Sequence, residues 1–420
     1  MALVIPISSV NAYVGVGKET TSGTAVAPTI FPRWLDGSSL EINLKSQKIF
    51  EGSGTRQFSQ VLKNQQYTKV KLVFLPRPIE LGFFETAAMG ISADVLTTAA
   101  VNTTLSASAS AGATTVTLTS TTGLPVSGTI ALDISAASGY IPGTDTEEVV
   151  LFTLPAVGSV LTVAPGYNGG KLKIAHSSGA TIVSSSQHVI TQQTDGNYYT
   201  VEVGIGSLNG GAGPTLRVRD CKVDTVKRSS KAGQYLEYEV DFIGIAWIVQ
   251  GGASTVTLEA HNAFLYTTGS WVLDGSSTGD APYIETFDIT QKNGLDDTIQ
   301  SELFTLDATI FGQLDVELTA TAVFTSPSRL YNIYFGGASG TTDSQTVGAG
   351  SLSLTFTQAD QFNVLNYLIP TLHYDKGTWP APKADGKHYA LPFTGTAVSN
   401  QGINASVLQV SINNASNATY

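Results

Sequence analysis

The chain has 420 residues, too many for one small core and enough for two or three domains. Only 13% of them are charged and 42 are Gly, a profile that fits an all-β protein of short strands and polar turns. A net charge of −11 disfavours nonspecific nucleic-acid binding, although any large soluble protein also needs some net charge, and the single Cys221 excludes an internal disulfide framework and suits a reducing cytoplasm.

The N-terminal Met1 to Pro6 lack the basic and long apolar regions of a signal peptide. Lys69 to Phe74 alternate as a strand, with Val70, Leu72 and Phe74 on one face. Pro78 to Gly90 predict a helix, opened by a first-turn Pro and stopped by Gly. Ile79, Phe83 and Ala87 recur at helical spacing and would pack on the sheet; an irregular apolar loop is the other reading.

From about Leu96 to Val189 the composition changes. Ala113–Leu118, Glu147–Phe152, Gly158–Val163 and the run to Val183 read as strands, with a turn at Gly123–Gly128, making a small β module of five or so strands. Its two ends must lie close together for it to sit within a host domain. Leu236 to Phe242 then alternate, placing Glu237, Glu239 and Asp241 opposite Leu236, Tyr238, Val240 and Phe242. The run Ile243 to Val249 is the most apolar, yet only about a third of the roughly 20 residues a membrane-spanning helix needs. In the second half Asp315 to Ala320 and Val407 to Ile412 are further strands, and Asp315 and Glu317 share a face.

Four short echoes recur in the same order: Trp34–Ser39 with Trp271–Ser277, Lys69–Phe74 with Asp315–Ala320, Pro214–Leu216 with Pro370–Leu372, and Phe242–Ala246 with Phe393–Ala397. The early pairs stand 238 and 246 residues apart and the late pairs 156 and 151, so the first copy carries 82 to 95 extra residues, which fall at the module. Chance likeness among Gly-, Ser- and Thr-rich strands is the alternative. The expected organisation is 1–95 and 190–252 as the first domain, 96–189 as an insertion and 253–420 as the second domain.

No catalytic, cofactor or metal constellation emerges. The five histidines form no H-x-x-x-H pair, and one Cys cannot build a zinc site of the usual spacing. Gly15-Val16-Gly17-Lys18-Glu19 lacks the upstream Gly and the hydroxyl residue of a phosphate loop. Asp296-Asp297 reads as a turn before it reads as a cation site. The acid pairs on strands have no partnered base or nucleophile, so an enzyme is not expected.

The opening Val14–Thr29, with Gly17-Lys18-Glu19-Thr20 and Gly23-Thr24 before Pro28, resembles the start of phage tail tube proteins. The order that follows is similar to that family: a strand, a long loop at Phe50–Gln57, a strand pair and the helix after Pro78. The Gly123–Gly128 turn and the Ala175-His176 to Val183 ending resemble small β domains inserted in tail proteins. The resemblance implies an all-β fold of two tube-type sandwich or barrel domains, each with room for one short helix, plus the inserted module on the tube exterior. It departs from single-domain tube proteins in being doubled, which implies homotrimeric rings of pseudo-sixfold symmetry stacked into a non-contractile, siphophage-type tail.

That resemblance further implies the partners: further copies of the chain, a tape measure, an assembly chaperone, a tail terminator, baseplate or tip proteins, and genomic DNA passing through the lumen without specific binding. Host surface glycans are candidate ligands of the module. No membrane insertion is expected, and the location is the virion tail after assembly in the bacterial cytoplasm. The hydrophilic stretches Glu51–Gln66 and Gln291–Ser301 are candidate ring-to-ring contacts through Glu51, Gly54, Arg56, Gln57, Lys292, Asp296 and Asp297, or else solvated loops. Glu237, Glu239, Asp241, Asp315 and Glu317 are candidate lumen-facing acids, where they would repel phosphates; Lys69 and Lys71 on the matching strand weigh against this, and an ordinary solvated face is the alternative. A β-rich carbohydrate-binding adhesin or tail fibre is the competing function, but the four Trp are scattered and not clustered around a groove.

Overall fold

Period-two alternation becomes strand register in both halves of the described chain. The computed structural model describes residues 12–49, 60–134, 147–154, 158–164, 169–205, 214–250, 252–278, 283–296, 309–337, 339–342, 348–359, 361–379, 388–399 and 406–420, to which all that follows is confined. The fold is all-β, with two α-helices among these residues. The first half contributes β1 (Tyr13–Lys18), β2 (Ser39–Ile49), β3 (Gln60–Phe74), α1 (Pro78–Met89) and β4 (Asp94–Thr98). Six strands of the inserted region follow: β5 (Asn102–Thr104), β6 (Thr115–Thr117), β7 (Ser127–Leu132), β8 (Glu148–Thr153), β9 (Val160–Val163) and β10 (Thr181–Ser184). The first half resumes with β11 (Ser186–Thr191), β12 (Tyr199–Gly204), β13 (Thr215–Lys231), β14 (Glu237–Gly244) and β15 (Ala246–Gln250). The second half holds β16 (Gly269–Leu273), β17 (Ile284–Lys292), β18 (Asp315–Val323), α2 (Ser328–Phe335), β19 (Ala349–Thr357), β20 (Val364–Gly377), β21 (Ala390–Ala397) and β22 (Gln409–Asn414).

The two halves repeat one strand order. In the first, neighbours run β1-β12-β13-β14-β3-β2; in the second, β16-β19-β20-β21-β18-β17. A helix follows the equivalent strand in each, α1 after β3 and α2 after β18. The register agrees residue by residue: Leu40, Val70 and Phe242 stand in one cross-strand row, and Phe287, Ala320 and Phe393 stand in its counterpart. Two residues along, glycine again occupies equivalent places, Gly244 opposite Thr68 and Gly395 opposite Leu318.

That register corrects three of the four sequence echoes. Val70 corresponds to Ala320, four residues beyond Val316. Arg219 and Leu372 are equivalent through their partners Ala246 and Ala397, so Pro214 does not correspond to Pro370. Trp34 bridges Phe74, whereas Trp271 lies on β16 against Leu354. The Phe242–Ala246 and Phe393–Ala397 pair alone is in place. An alternating strand looks alike at shifts of two or four residues, so short matches slide along the repeat.

β13 pairs with β17, and β11 with β22, so the two halves share one 16-stranded sheet and one apolar core. α1 is almost wholly buried in that core. Pro78 stands in its first turn, where its missing N–H is no loss. Arg77 at the N-cap gives no side-chain bond; instead the Glu259 carboxylate accepts the Ile79 and Glu80 amides at 3.0 and 2.7 Å. Gly90, with φ +119°, ends the helix. α2 stops at the left-handed Gly336.

The inserted strands form a separate six-stranded sheet, β5-β10-β7-β8-β9-β6, around their own core. Entry and exit are the antiparallel neighbours β4 and β11, whose Asp94 and Ile190 are paired; the expected limits at residues 96 and 189 therefore fall inside strands of the large sheet. Ala100, Ala131 and Val183 pack with Phe362 and Ala415, joining the inserted sheet to the second half. No helix among the described residues is long and apolar enough to cross a membrane.

Candidate assembly interface

The junction between the halves combines strand pairing with a buried polar network. β17 adds to the edge of β13 from Thr225, opposite Lys292, to Lys231, opposite Thr286. Its inner face, Phe287, Ile289 and Gln291, is buried. Beneath it the Arg228 guanidinium holds the Glu85 carboxylate of α1 in a two-nitrogen grip, Nε standing 2.8 Å from Oε1, and donates to Gln291 Oε1 at 2.9 Å. Tyr367 of the second half donates to Glu85 at 3.0 Å. Gln291 and Asn293 donate to the Ala88 carbonyl at 3.0 and 2.9 Å, satisfying the free carbonyl end of α1.

The first half carries the same element without a partner. Ser39-Leu40-Glu41-Ile42-Asn43-Leu44-Lys45-Ser46 of β2 matches Thr286-Phe287-Asp288-Ile289-Thr290-Gln291-Lys292-Asn293 of β17 in both pattern and register. Ile289 and Gln291 are fully buried, whereas Ile42 and Leu44 are 42% and 59% exposed. Among the described residues β2 pairs only with β3, so its other edge is open. Its tip continues as exposed Val61 and Leu62 on β3.

α2 is equally bare. Only Arg329 and Leu330 of its residues are buried, against nearly all of α1. Arg329 is held by Asp274 at 2.9 Å and by the Tyr374 hydroxyl. The outer side presents Tyr331, Tyr334 and Phe335, with Tyr331 5.9 Å from Phe335 and 6.4 Å from Trp379, itself 54% exposed.

The residues singled out from sequence separate into three groups. Glu51, Gly54, Arg56, Gln57 and Asp297 lie outside the described residues. Gln291 is not in a hydrophilic contact loop, since the β17 register turns it into the junction. Lys292 is in β17 as well, paired to Asp315 and Glu317 at 3.4 and 3.0 Å, and Asp296 donates its amide to the Ile310 carbonyl.

The five acids share one face of the large sheet. Glu239, Lys227, Thr290 and Glu317 occupy a single cross-strand row, flanked by the rows of Glu237 with Asp288 and of Asp241 with Lys292 and Asp315. The lysines interleave with them: Lys71 meets Glu239 at 2.6 Å and Lys227 meets Asp288 at 2.7 Å. Burial first, then the Glu239 charge, lifts the Asp241 carboxyl above its ordinary range. The face is therefore a mixed-charge lattice and not a purely acidic strip.

The buried histidines are tied to carboxylates within the fold. His176 contacts Asp133 at 2.9 Å and Glu148 at 3.1 Å, and His188 contacts Asp94 at 2.9 Å. Among the described residues no group of three His, Cys, Asp or Glu is arranged to hold a metal ion. A scan against protein-family models finds no match, and a search of curated proteins finds none either.

The candidate interface residues that sequence reading missed are Ile42, Leu44, Tyr334 and the network around Arg228. The match between Ser39–Ser46 and Thr286–Asn293 was open to detection, because seven of its eight positions stay apolar, neutral polar, acidic or basic, all but Leu44 against Gln291. The Arg228 network was not, since its members come from four distant segments.

Proposed function

We propose that this chain is a structural subunit that assembles head to tail into rings and stacked tubes, as the tail tube of a siphophage-type virion. One observation carries the reading: the edge-to-edge joint between the two repeats has an unfilled counterpart at β2 and α2. A contact made by two different patches repeats from copy to copy and closes into a ring when its rotation permits. Two repeats per chain make three chains equivalent to six repeats, in keeping with the pseudo-sixfold rings that the sequence resemblance implies. The open sheet edge is then paired by a neighbour and not left as a site of aggregation.

On this reading the polar face of the continuous sheet, with Glu237, Glu239, Asp241, Asp315 and Glu317, lines the lumen. Its interleaved lysines keep the local field weak, so DNA is neither trapped nor strongly repelled. The inserted β5–β10 sheet lies outside, and tape measure, terminator and tip proteins meet the ends of the tube. The chain acts without catalysis or cofactor.

Negative-stain microscopy of the purified chain tests the proposal. Rings or hollow tubes with threefold or pseudo-sixfold symmetry are expected. Compact monomers that bind glycan and never polymerise would overturn it. Reversing Glu237 and Glu239 to Lys should slow DNA ejection from particles with intact tails; unchanged ejection would remove the lumenal assignment.

A further inference from the structure

We infer that the exposed inner face of β2 in one copy seats on the part-exposed aromatic face of α2 in another copy, with Leu44 beside Tyr334. This rests on the tube reading above and names the residues of its subunit contact. The template is the joint already present inside the chain. There Arg228 touches both Glu85 of α1 and Gln291 of β17, which fixes those two side chains as neighbours across one guanidinium. The register equates Gln291 with Leu44. Aligning the helices on their buried leucines, Leu81 and Leu330, equates Glu85 with Tyr334.

Both equivalents are exposed, and both have become apolar or aromatic. Position for position, a buried polar pair has been replaced by an exposed Leu44 and a part-exposed Tyr334, whose hydroxyl donates to the Gly377 carbonyl. The occupant is a second copy of this chain, because the element that covers α1 is β17, and β2 is the other bearer of that eight-residue pattern. Charge favours the same choice. Residues 39–74 hold six Lys or Arg and two Glu of the chain's 22 and 33, leaving 16 against 31 elsewhere. Two such basic arms repel one another, whereas an arm and the acidic remainder of another copy attract.

The test uses the full chain with single cysteines. Cys221 is fully buried, so a short bis-maleimide should leave the unsubstituted protein unlinked. Mixing Leu44→Cys with Tyr334→Cys protein is expected to give a covalent dimer in at least tenfold greater yield than either variant alone. Leu44→Glu, at an exposed position, should keep the wild-type circular dichroism and unfolding midpoint, and Tyr334→Glu, which also loses the hydroxyl's 2.7 Å bond to the Gly377 carbonyl, should match the midpoint of Tyr334→Phe; each glutamate variant should raise the concentration for assembly at least tenfold over its reference. If the glutamate variants form normal rings and the mixed cysteines stay unlinked, this contact is wrong and the tube reading survives. If wild-type chains remain monomeric at every concentration, both are wrong.

Discussion

Removing one charge from the Arg228–Glu85 pair should weaken the first half and its junction with the second. Both side chains are wholly buried, and the guanidinium also lies over the rings of Tyr238 and Tyr367 at 5.7 and 5.6 Å. Taking an ion out of water costs several kcal/mol, offset here by the partner charge and by Gln291 and Tyr367. Arg228→Met keeps most of the volume but leaves a buried carboxylate without its cation, and should cost about 3–5 kcal/mol. Glu85→Leu alone should cost a similar amount. The double variant buries no unpaired charge and is expected within about 2 kcal/mol of wild type, because apolar replacement of a whole buried pair is often nearly neutral. Urea unfolding at pH 7, followed by circular dichroism and Trp fluorescence, measures all three, and coincident transitions justify a two-state treatment. A single-variant loss under about 1 kcal/mol, or a double variant whose loss equals the two singles combined, would refute this account of the junction.

Three further outcomes follow from the same structure. Burial, reinforced by the Glu259 charge, pushes the Glu80 carboxyl up to about 8. A raised carboxyl favours its neutral form in the fold, so this contribution is present below about pH 4.5 and is lost as pH rises towards 8; Glu80→Gln should flatten the unfolding midpoint between pH 5 and 9 and exceed wild type at the alkaline end. In the inserted sheet, burial pulls the His176 imidazole down, but its bonds to Glu148 and Asp133 outweigh that and raise it above its ordinary value. The added stability is full below about pH 6.5 and fades above it; amide exchange in β8 and β10 should therefore accelerate, relative to the intrinsic rate, from pH 6 to pH 8, and His176→Gln should abolish the difference. A Cβ on Gly244 would run into the Val218 methyl and stand 2.8 Å from Cys221 Sγ, so Gly244→Ala should lower stability by about 1–3 kcal/mol in urea titrations.

Local chemistry was readable where it was self-sufficient. Helix α1 announced itself through Pro78 and Gly90, and the glutamates of β14 fell on one face because a strand alternates. The inserted strands β6, β8 and β9 followed from the same pattern, whereas β5 was too short to register and β7 begins inside what reads as a turn. Long-range register was less legible: Asp315–Ala320 looks like Lys69–Phe74, yet pairing with Phe393 moves the true counterpart four residues on. The cap of α1 was hidden too, since Glu259 reaches it from another part of the chain. Most of the proposed assembly face was invisible, because what stands opposite each position, and not its own polarity, leaves Leu44 exposed and buries Gln291.

The charge distribution also dictates how assembly should respond to salt. The basic arm at residues 39–74 and the acidic remainder attract over distances longer than any apolar contact, so they act on the rate of encounter. Screening shortens that reach from roughly 10 Å at 0.1 M to a few ångströms at 1 M salt. The contact, once made, depends on burying Leu44 and Ile42, a term of about 1.5–3 kcal/mol for a whole side chain that added salt does not weaken. Early assembly rates measured by light scattering should thus fall several-fold between 0.05 and 0.5 M NaCl, while tubes already formed persist after the same transfer. Faster nucleation in high salt would mean that like charges meet at the contact, and the pairing of β2 with α2 would have to be abandoned.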